Sequence, residues 1–375
     1  MRLSRLTIRH FRNLGAQDLE LPREGVALIG DNAQGKSNFL EAIYYLETFR
    51  SFRGARDEQL VAFGSDTFRV AGRTEAEGTD DERGTEVAAA FQRTGKRRKV
   101  VLDGREPERI GEALGKLGAV IFSPTDIELV SGGPAERRRF LDIVLSLNEP
   151  GYLESLQEYR RVLVRRNAAL KAGEAGSAVG AWDQGLIRSG SEVTLSRRSW
   201  IEGRCVAFGE YNRMISDGAR ATMTYRPSVP LAGVADIEGV RGAFRDALTE
   251  SWDRERRRGV TVVGPHRDEV RLQLDDGDHE LDLREYGSGG QRRTAALALR
   301  LVEAMTIRER RGRQPLILLD DVFAELDTGR GERVLELMET DDTGQVFLTA
   351  PKDGDVRIRR DVIPRWRIDN GRITT

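Results

Sequence analysis

Residues 30–37 read Gly-Asp-Asn-Ala-Gln-Gly-Lys-Ser, a complete G-x-x-x-x-G-K-[ST] phosphate-binding loop. An apolar run, Val26-Ala27-Leu28-Ile29, leads into it, and a helix-like stretch, Asn38-Phe39-Leu40-Glu41-Ala42-Ile43-Tyr44, leads out. Strand, loop and helix in that order are the context in which the pattern means triphosphate binding. The glycines let backbone N–H groups turn inward around phosphate oxygens, and the helix N-terminus adds partial positive charge. Gly30, Asp31, Asn32, Ala33, Gln34, Gly35, Lys36 and Ser37 are therefore the expected ATP cradle. Lys36 is expected at the β- and γ-phosphates, and the Ser37 hydroxyl on Mg²⁺.

The rest of the chain must supply the sheet that this loop closes. Leu3 to Phe11 roughly alternates apolar and polar, as an edge or half-buried strand does. Residues 66–110 read as an antiparallel sheet with an acidic, Gly-containing loop at 75–84, and Ala119-Val120-Ile121-Phe122 as a short buried strand. From about 135 to 258 the pattern is helical. Leu186, Val193, Trp200, Ala207 and Met214 recur every seven residues beside Ile187, Thr194, Ile201, Phe208 and Ile215. They predict one apolar stripe on a helix over 182–216, roughly 50 Å long. A second helix over 152–171 and the glycines of 173–180 suggest a short antiparallel arm, with ordinary globular packing as the alternative. Strands are expected again at 260–263, 270–274, 316–319 and 345–349, with helices at 290–311 and 330–339. The first and last strands must share a sheet, so the helical middle is an insertion. The expected division is 1–134 with 260–375 as the nucleotide domain, and 135–259 as a helical lobe or arm.

Two further segments complete a nucleotide site. Leu316-Ile317-Leu318-Leu319 ends in Asp320 and Asp321. An acid at the carboxyl end of such a strand holds Mg²⁺, and the next is placed to orient or deprotonate the attacking water. Lys36, Asp320 and Asp321 are thus the catalytic candidates, and Ser37 with Asp320 the metal pair. Ser288, Gly289, Gly290 and Gln291 open an Ala- and Leu-rich helix, where Ser288 can cap and the free N–H groups form a second anion site. One chain then has two phosphate-seeking helix N-termini and one Lys-bearing loop. Closing the second site of one chain over the triphosphate of another would make a symmetric, ATP-held homodimer.

These segments carry a resemblance. The phosphate loop, S-G-G-Q at 288–291, L-L-D-D at 318–321 and A-E-L-D at 324–327 resemble the ABC-type ATPase heads of the SMC class. F-S-P-T-D at 122–126, G-G-P-A-E-R-R-R-F-L-D at 132–142 and G-P-H-R-D-E at 264–269 narrow the resemblance to the RecF family of bacterial recombination mediators. The family pattern departs at Thr125, at Gly290 and at Asp321, where most ABC heads have glutamate. The resemblance implies an α/β ATPase head (mixed sheet plus antiparallel β subdomain) with an inserted helical lobe or short arm. It implies an ATP- and Mg²⁺-dependent dimer that clamps duplex DNA near gaps and releases it by slow, DNA-stimulated hydrolysis. Partnership with RecR and RecO, and indirectly RecA, follows from it too. On that reading Ser288, Gly290 and Gln291 meet the partner's γ-phosphate, and Asp327 lies in a loop crossing the interface. Arg12 and Asn13 approach the nucleotide, and Thr349 takes the place of a switch histidine.

Charge sharpens the DNA question. Lys and Arg number 60 against 61 Asp and Glu, so no global field draws the chain to nucleic acid and any DNA contact must be local. Candidates are Lys96-Arg97-Arg98-Lys99, Arg137-Arg138-Arg139, Arg160 and Arg161 with Arg165 and Arg166, and Arg254 with Arg256-Arg257-Arg258. The alternative for each is a solvated or ion-paired face. No aromatic interrupts these runs, which favours a duplex-backbone binder over a single-strand stacking platform. One cysteine, Cys205, and three histidines leave no disulfide pair or metal cluster, and no apolar run reaches 18 residues. A soluble, cytoplasmic protein is expected. The rival in another class is the ATPase subunit of a membrane transporter. Against it stands the spacing, since two thirds of the chain separates Lys36 from Ser288. A GTP switch lacks the N-K-x-D segment that reads guanine.

Overall fold

The computed structural model describes residues 2–75, 84–216, 218–275, 279–339, 344–358 and 362–375. The acidic loop expected at 75–84 lies, but for its two ends, outside them. The chain divides into two compact units. Met1–Asp126, Met214–Ser216 and Leu299–Thr375 form the first, and Ile127–Arg213 with Asp217–Ala298 the second.

Fourteen strands are present among the described residues. Those of the amino-terminal third are β1 (Arg2–Arg9), β2 (Gln17–Glu20), β3 (Gly25–Ile29), β4 (Thr67–Glu75), β5 (Glu86–Gln92), β6 (Arg97–Leu102) and β7 (Ala119–Phe122). The second unit holds β8 (Arg220–Arg226), β9 (Glu269–Asp275) and β10 (Glu280–Asp282). The carboxyl-terminal part adds β11 (Leu316–Leu319), β12 (Val346–Ala350), β13 (Arg365–Asp369) and β14 (Arg372–Thr374).

In the first unit, six strands run in the order β14-β13-β3-β12-β11-β7, with all but β14 parallel. The phosphate-loop strand thus lies inside a parallel sheet, as its apolar run requires. Five antiparallel strands form a second sheet, β2-β1-β4-β5-β6, so the half-buried β1 lies inside that sheet and not at its edge. The helix Lys36–Thr48 shares one core with both sheets, and every residue from Phe39 to Phe49 is buried. A helix buried on every side needs cover on every side, which two sheets supply.

The second unit departs from expectation in three ways. First, residues 260–298, assigned from sequence to the nucleotide domain, group here with the helices. The reason is pairing: β9 hydrogen-bonds β8, a strand inside the helical middle that the sequence reading missed although Arg220 to Arg226 alternates. Second, Val260 to Val263 is not a strand. Side chains take the backbone donors that a ladder would use. Thr261 N–H donates to Asn167 Oδ1 at 2.8 Å and Val262 N–H to Glu255 Oε1 at 2.9 Å. Third, the two heptad rows of the helix Asp183–Ser216 diverge along its length. In the first row Leu186 is 0% exposed and Met214 43%, whereas in the second Ile187 is 8% and Ile215 0%. A straight helix drifts about 20° per heptad, so four heptads turn one row outward and the other inward. The stripe is real, but it winds round a straight globular helix. Its first half packs with Tyr159, Val162, Phe244 and Leu248 of neighbouring helices in a compact core, which is the alternative to an arm.

The segment Gly264-Pro265-His266-Arg267-Asp268-Glu269 ties this unit together. Arg197 donates to the Pro265 carbonyl at 2.6 Å, and Asp268 accepts from Ser228 N–H at 2.7 Å and from the Tyr225 hydroxyl. His266 Nε2 donates to the Thr261 carbonyl at 3.0 Å. Its Nδ1 must therefore accept from the Tyr159 hydroxyl at 2.6 Å, which fixes the neutral tautomer. Burial pushes the His266 imidazole down to about 4. The folded form thus refuses a proton that the unfolded chain takes below about pH 6.5, and stability is lost as pH falls from there towards 4. Urea denaturation should show a loss of about 2 kcal/mol from this group between pH 7 and pH 5. A His266→Gln variant should lack that component, and an unchanged pH slope would refute it.

Candidate nucleotide site

The loop is held open by its own backbone and by two neighbours. Gly35 has φ 111°, and a Cβ there would lie 2.7 Å from Asn13 Oδ1, so only glycine fits. Lys36, almost fully buried, reaches across the loop and donates from Nζ to the Gly30 carbonyl at 2.7 Å and the Asp31 carbonyl at 3.0 Å. Asn13 donates to the Ala33 carbonyl at 3.3 Å and accepts from Asn38 at 2.7 Å. Arg12 is spent elsewhere. Its guanidinium grips both oxygens of buried Glu41 at 2.8 and 3.0 Å, and the Ser51 hydroxyl donates to the same carboxylate. Asn13 thus touches the loop directly, whereas Arg12 anchors the helix behind it.

A second support escaped the sequence reading. The turn between β13 and β14 donates Asn370 N–H to Gln34 Oε1 at 2.6 Å and Gly371 N–H to the Gln34 carbonyl at 3.0 Å. A Cβ at Gly371 would stand 1.9 Å from the Asn13 carbonyl oxygen. The signal was present, since Asn370-Gly371 between two short alternating runs is the strongest local mark of a hairpin.

Asp320 and Asp321 leave β11 at its carboxyl end, beside Ser37. The Asp320 carboxyl is raised above the usual range, chiefly by burial, while a hydrogen bond from the Ser37 hydroxyl works against that shift. The two halves of the site seen in sequence meet at the carboxyl ends of β3 and β11, which both pair in parallel with β12. Thr349, buried at the end of β12, lies with Oγ1 3.2 Å from both Asp320 Oδ1 and Asp321 Oδ1, and accepts from Asp321 N–H at 3.0 Å. One hydroxyl proton can serve one carboxylate at a time. Thr349 therefore orders the acid pair, and Asp321 sits in a left-handed conformation, φ 48°, that a free aspartate rarely adopts. Thr349→Val removes the hydroxyl at constant shape and should lower ATP turnover roughly tenfold with little change in KM, at a stability cost of about 1–3 kcal/mol. Thr349→Ser should restore turnover; equal rates for the valine and native proteins would show that the hydroxyl is idle.

In the second unit, Ser288 caps the helix Gly289–Arg311. Its Oγ accepts from Gln291 N–H at 3.2 Å, and Gln291 Oε1 accepts from Ser288 N–H at 2.8 Å, a reciprocal capping box. Ser288 and Gly289 are exposed, while Gly290 and Gln291 are half-buried. Asp327 caps its own helix through Arg330 N–H at 3.0 Å, and that bond holds its carboxyl below the usual range.

The basic patches are not equivalent. Arg166 is withdrawn as a DNA contact: it is 1% exposed, paired with Asp183 at 2.8 Å and Glu255 at 2.7 Å. Arg137 is likewise buried, on Glu269 at 2.9 Å, and Arg138 donates to the Asp268 carbonyl. Arg160 pairs with Asp142, Arg161 with Glu158, and Arg165 lies 5.4 Å from the Trp182 ring centre. On the β5–β6 hairpin, Lys96 pairs with Glu58, Arg98 with Asp57 and Lys99 with Glu106, while Arg97 is exposed with no ion pair among the described residues. Arg254, Arg256, Arg257 and Arg258 remain exposed at a helix end. No helix among the described residues is long and apolar enough to cross a membrane.

A family model described as "RecF/RecN/SMC N terminal domain" matches residues 2–364. The DNA replication and repair protein RecF of Synechococcus sp. (strain JA-2-3B'a(2-13)) is 39% identical over 346 residues, covering 90% of this chain and 89% of that protein. The chain belongs to the RecF family. Its RecF relative in Halothermothrix orenii is 32% identical and is matched over 99% of its length, with all of this chain covered. A solved structure of the recombination mediator protein RecF with ATP, in the RecFOR pathway, superposes with TM-score 0.89 at 30% identity, over 99% of this chain and 96% of that one. An Smc head from Pyrococcus furiosus shares the fold, at TM-score 0.57 and 18% identity. The ATPase-head fold expected from the motifs is thus the fold found. RecF membership supports the repair reading, and nothing in these relatives supports a transporter subunit.

Proposed function

We propose that the chain is an ATP-hydrolysing protein of DNA replication and repair, which clamps duplex DNA near single-strand gaps as an ATP-held homodimer. The observation that carries this reading is the shared parallel sheet, in which β12 pairs with both the phosphate-loop strand β3 and the acidic strand β11 and so brings loop and acids to one end of the sheet in a RecF-family chain. The loop N–H groups and Lys36 would take the triphosphate, with Lys36 Nζ leaving two carbonyls for the β- and γ-phosphates. A hydroxyl and a buried carboxylate make an oxygen donor pair suited to a hard cation, so Ser37 and Asp320 would hold Mg²⁺. Bound there, Mg²⁺ would neutralise charge developing on the phosphates. Asp321, kept in place by Thr349, would orient the attacking water, and its short arm suits slow turnover.

Hydrolysis is assigned the role of releasing DNA, and partnership with RecR and RecO the role of helping to load RecA. Lys96, Arg97, Arg98, Lys99, Arg160, Arg161 and Arg165 remain the duplex contacts, with Arg97 foremost because its charge is uncompensated. Retention of gapped and intact duplex by the purified protein tests the reading. It should be strong with ATP and Mg²⁺, weak with ADP, and tighter on the gapped form. Arg97→Glu should weaken it while leaving ATP binding intact. Retention that ignores the nucleotide would overturn the clamp.

A further inference from the structure

The second unit contains a cavity of about 980 Å³ that no part of the nucleotide reading uses. Two helices face each other across it. The helix Ile237–Arg258 presents Arg241, Arg245, Leu248 and Trp252, spaced as one helical face, and the helix Asp183–Ser216 presents Asp183, Ile187 and Arg188. Ile187, Leu248 and Trp252 give it an apolar wall, and Trp252 packs from outside on Ala169, Leu170 and Val179. The acids at its edge are ion-paired, although Glu238 remains 74% exposed. Asp183 pairs with buried Arg166 at 2.8 Å, and Glu238 with Arg241 at 2.6 Å. Arg188 and Arg245 are exposed and make no ion pair among the described residues. The cavity therefore joins an apolar wall to two uncompensated guanidiniums.

The geometry points to a docking site for an acidic peptide segment of another polypeptide, with one or two apolar side chains against Ile187, Leu248 and Trp252. Its carboxylates would take the free forks of Arg188 and Arg245, a pairing that guanidinium favours. The volume is that of a ligand pocket and accepts a few side chains, not a duplex. A continuous phosphodiester is disfavoured because Glu238, 74% exposed, and Glu192, 46% exposed, flank Arg241 and would repel a polyanion. A peptide can place its carboxylates singly and avoid them.

The site stands apart from the nucleotide reading, so its test does not depend on ATP. Fluorescence anisotropy with a fluorescein-labelled hexapeptide, two central leucines flanked by glutamates, should show saturable binding at micromolar concentrations that weakens with salt. Arg188→Glu combined with Arg245→Glu should reduce affinity at least tenfold, and Trp252→Ala, which removes apolar wall without changing charge, should also weaken binding. Both guanidiniums are solvent-exposed, so the double variant should fold and bind ATP as the native chain does. A lysine-flanked isomer should not bind. The proposal falls if the double variant binds equally well, if the native protein does not bind the peptide, or if an eight-residue oligothymidylate displaces it more readily than unlabelled peptide does.

Discussion

Replacing Lys36 with methionine is expected to lower ATP turnover by about two to three orders of magnitude, the usual effect of removing one preorganised donor from a developing charge. The ammonium is almost fully buried, and its two partners are main-chain carbonyls of the loop itself, at 2.7 and 3.0 Å. No carboxylate has to be displaced when a phosphate arrives. The lysine exchanges neutral acceptors for charged ones without leaving the loop, so little reorganisation is required. Methionine matches the length of the stem and its packing, and the freed carbonyls of Gly30 and exposed Asp31 can turn to water. The unfolding midpoint should therefore hardly move while turnover collapses. Lys36→Arg should not rescue, because a planar fork cannot sit between two carbonyls shaped for a point charge. A methionine variant with near-native turnover would mean that the triphosphate is held elsewhere.

How much of this was legible depended on how local each feature is. The phosphate loop, the acid pair after an apolar strand and the Ser288 cap are each written within a few consecutive residues, and each stands where it was expected. Arg166 was legible in principle and misjudged. It shares a helical face with Tyr159, Val162, Ala169 and Leu170, all buried, whereas Arg160, Arg161 and Arg165 point away from that face. A run of arginines was read as one patch where helical phase already separated its members. The segment Val260 to Val263 failed for a different reason. Its β-branched residues suit a strand, but the groups that claim its N–H donors, Asn167 and Glu255, lie on two helices and cannot be inferred from the segment itself. The hairpin that braces Gln34 from the far end of the chain belongs between these cases. Its turn was readable, but its target was not.

The second large effect concerns Ser288. Light scattering of an Asp321→Asn variant, chosen to slow hydrolysis, should show a doubling of mass with ATP and Mg²⁺ but not with ADP or without nucleotide. Ser288→Arg in that background should abolish the doubling. The argument rests on what the capping box leaves free. Ser288 and Gln291 satisfy each other's N–H groups, yet Ser288 and Gly289 stay exposed, so the helix offers its positive end to solvent. Exchanging the reciprocal bonds for a phosphate oxygen costs little, because neutral acceptors give way to a charged one. One loop and one such end per chain fit two complete sites in a symmetric pair. Arginine at 288 forfeits a cap worth about 1 kcal/mol, too little to unfold the chain, and sets a bulky side chain where the γ-phosphate would come. Binding of a fluorescent ATP analogue to the monomer should persist in the variant, since Lys36, Ser37 and Asp320 are untouched. If mass doubles regardless of residue 288, pairing does not run through this helix end. If the parent stays monomeric with every nucleotide, the chain acts through a different polypeptide, and the acidic-peptide cavity becomes the place to look for it.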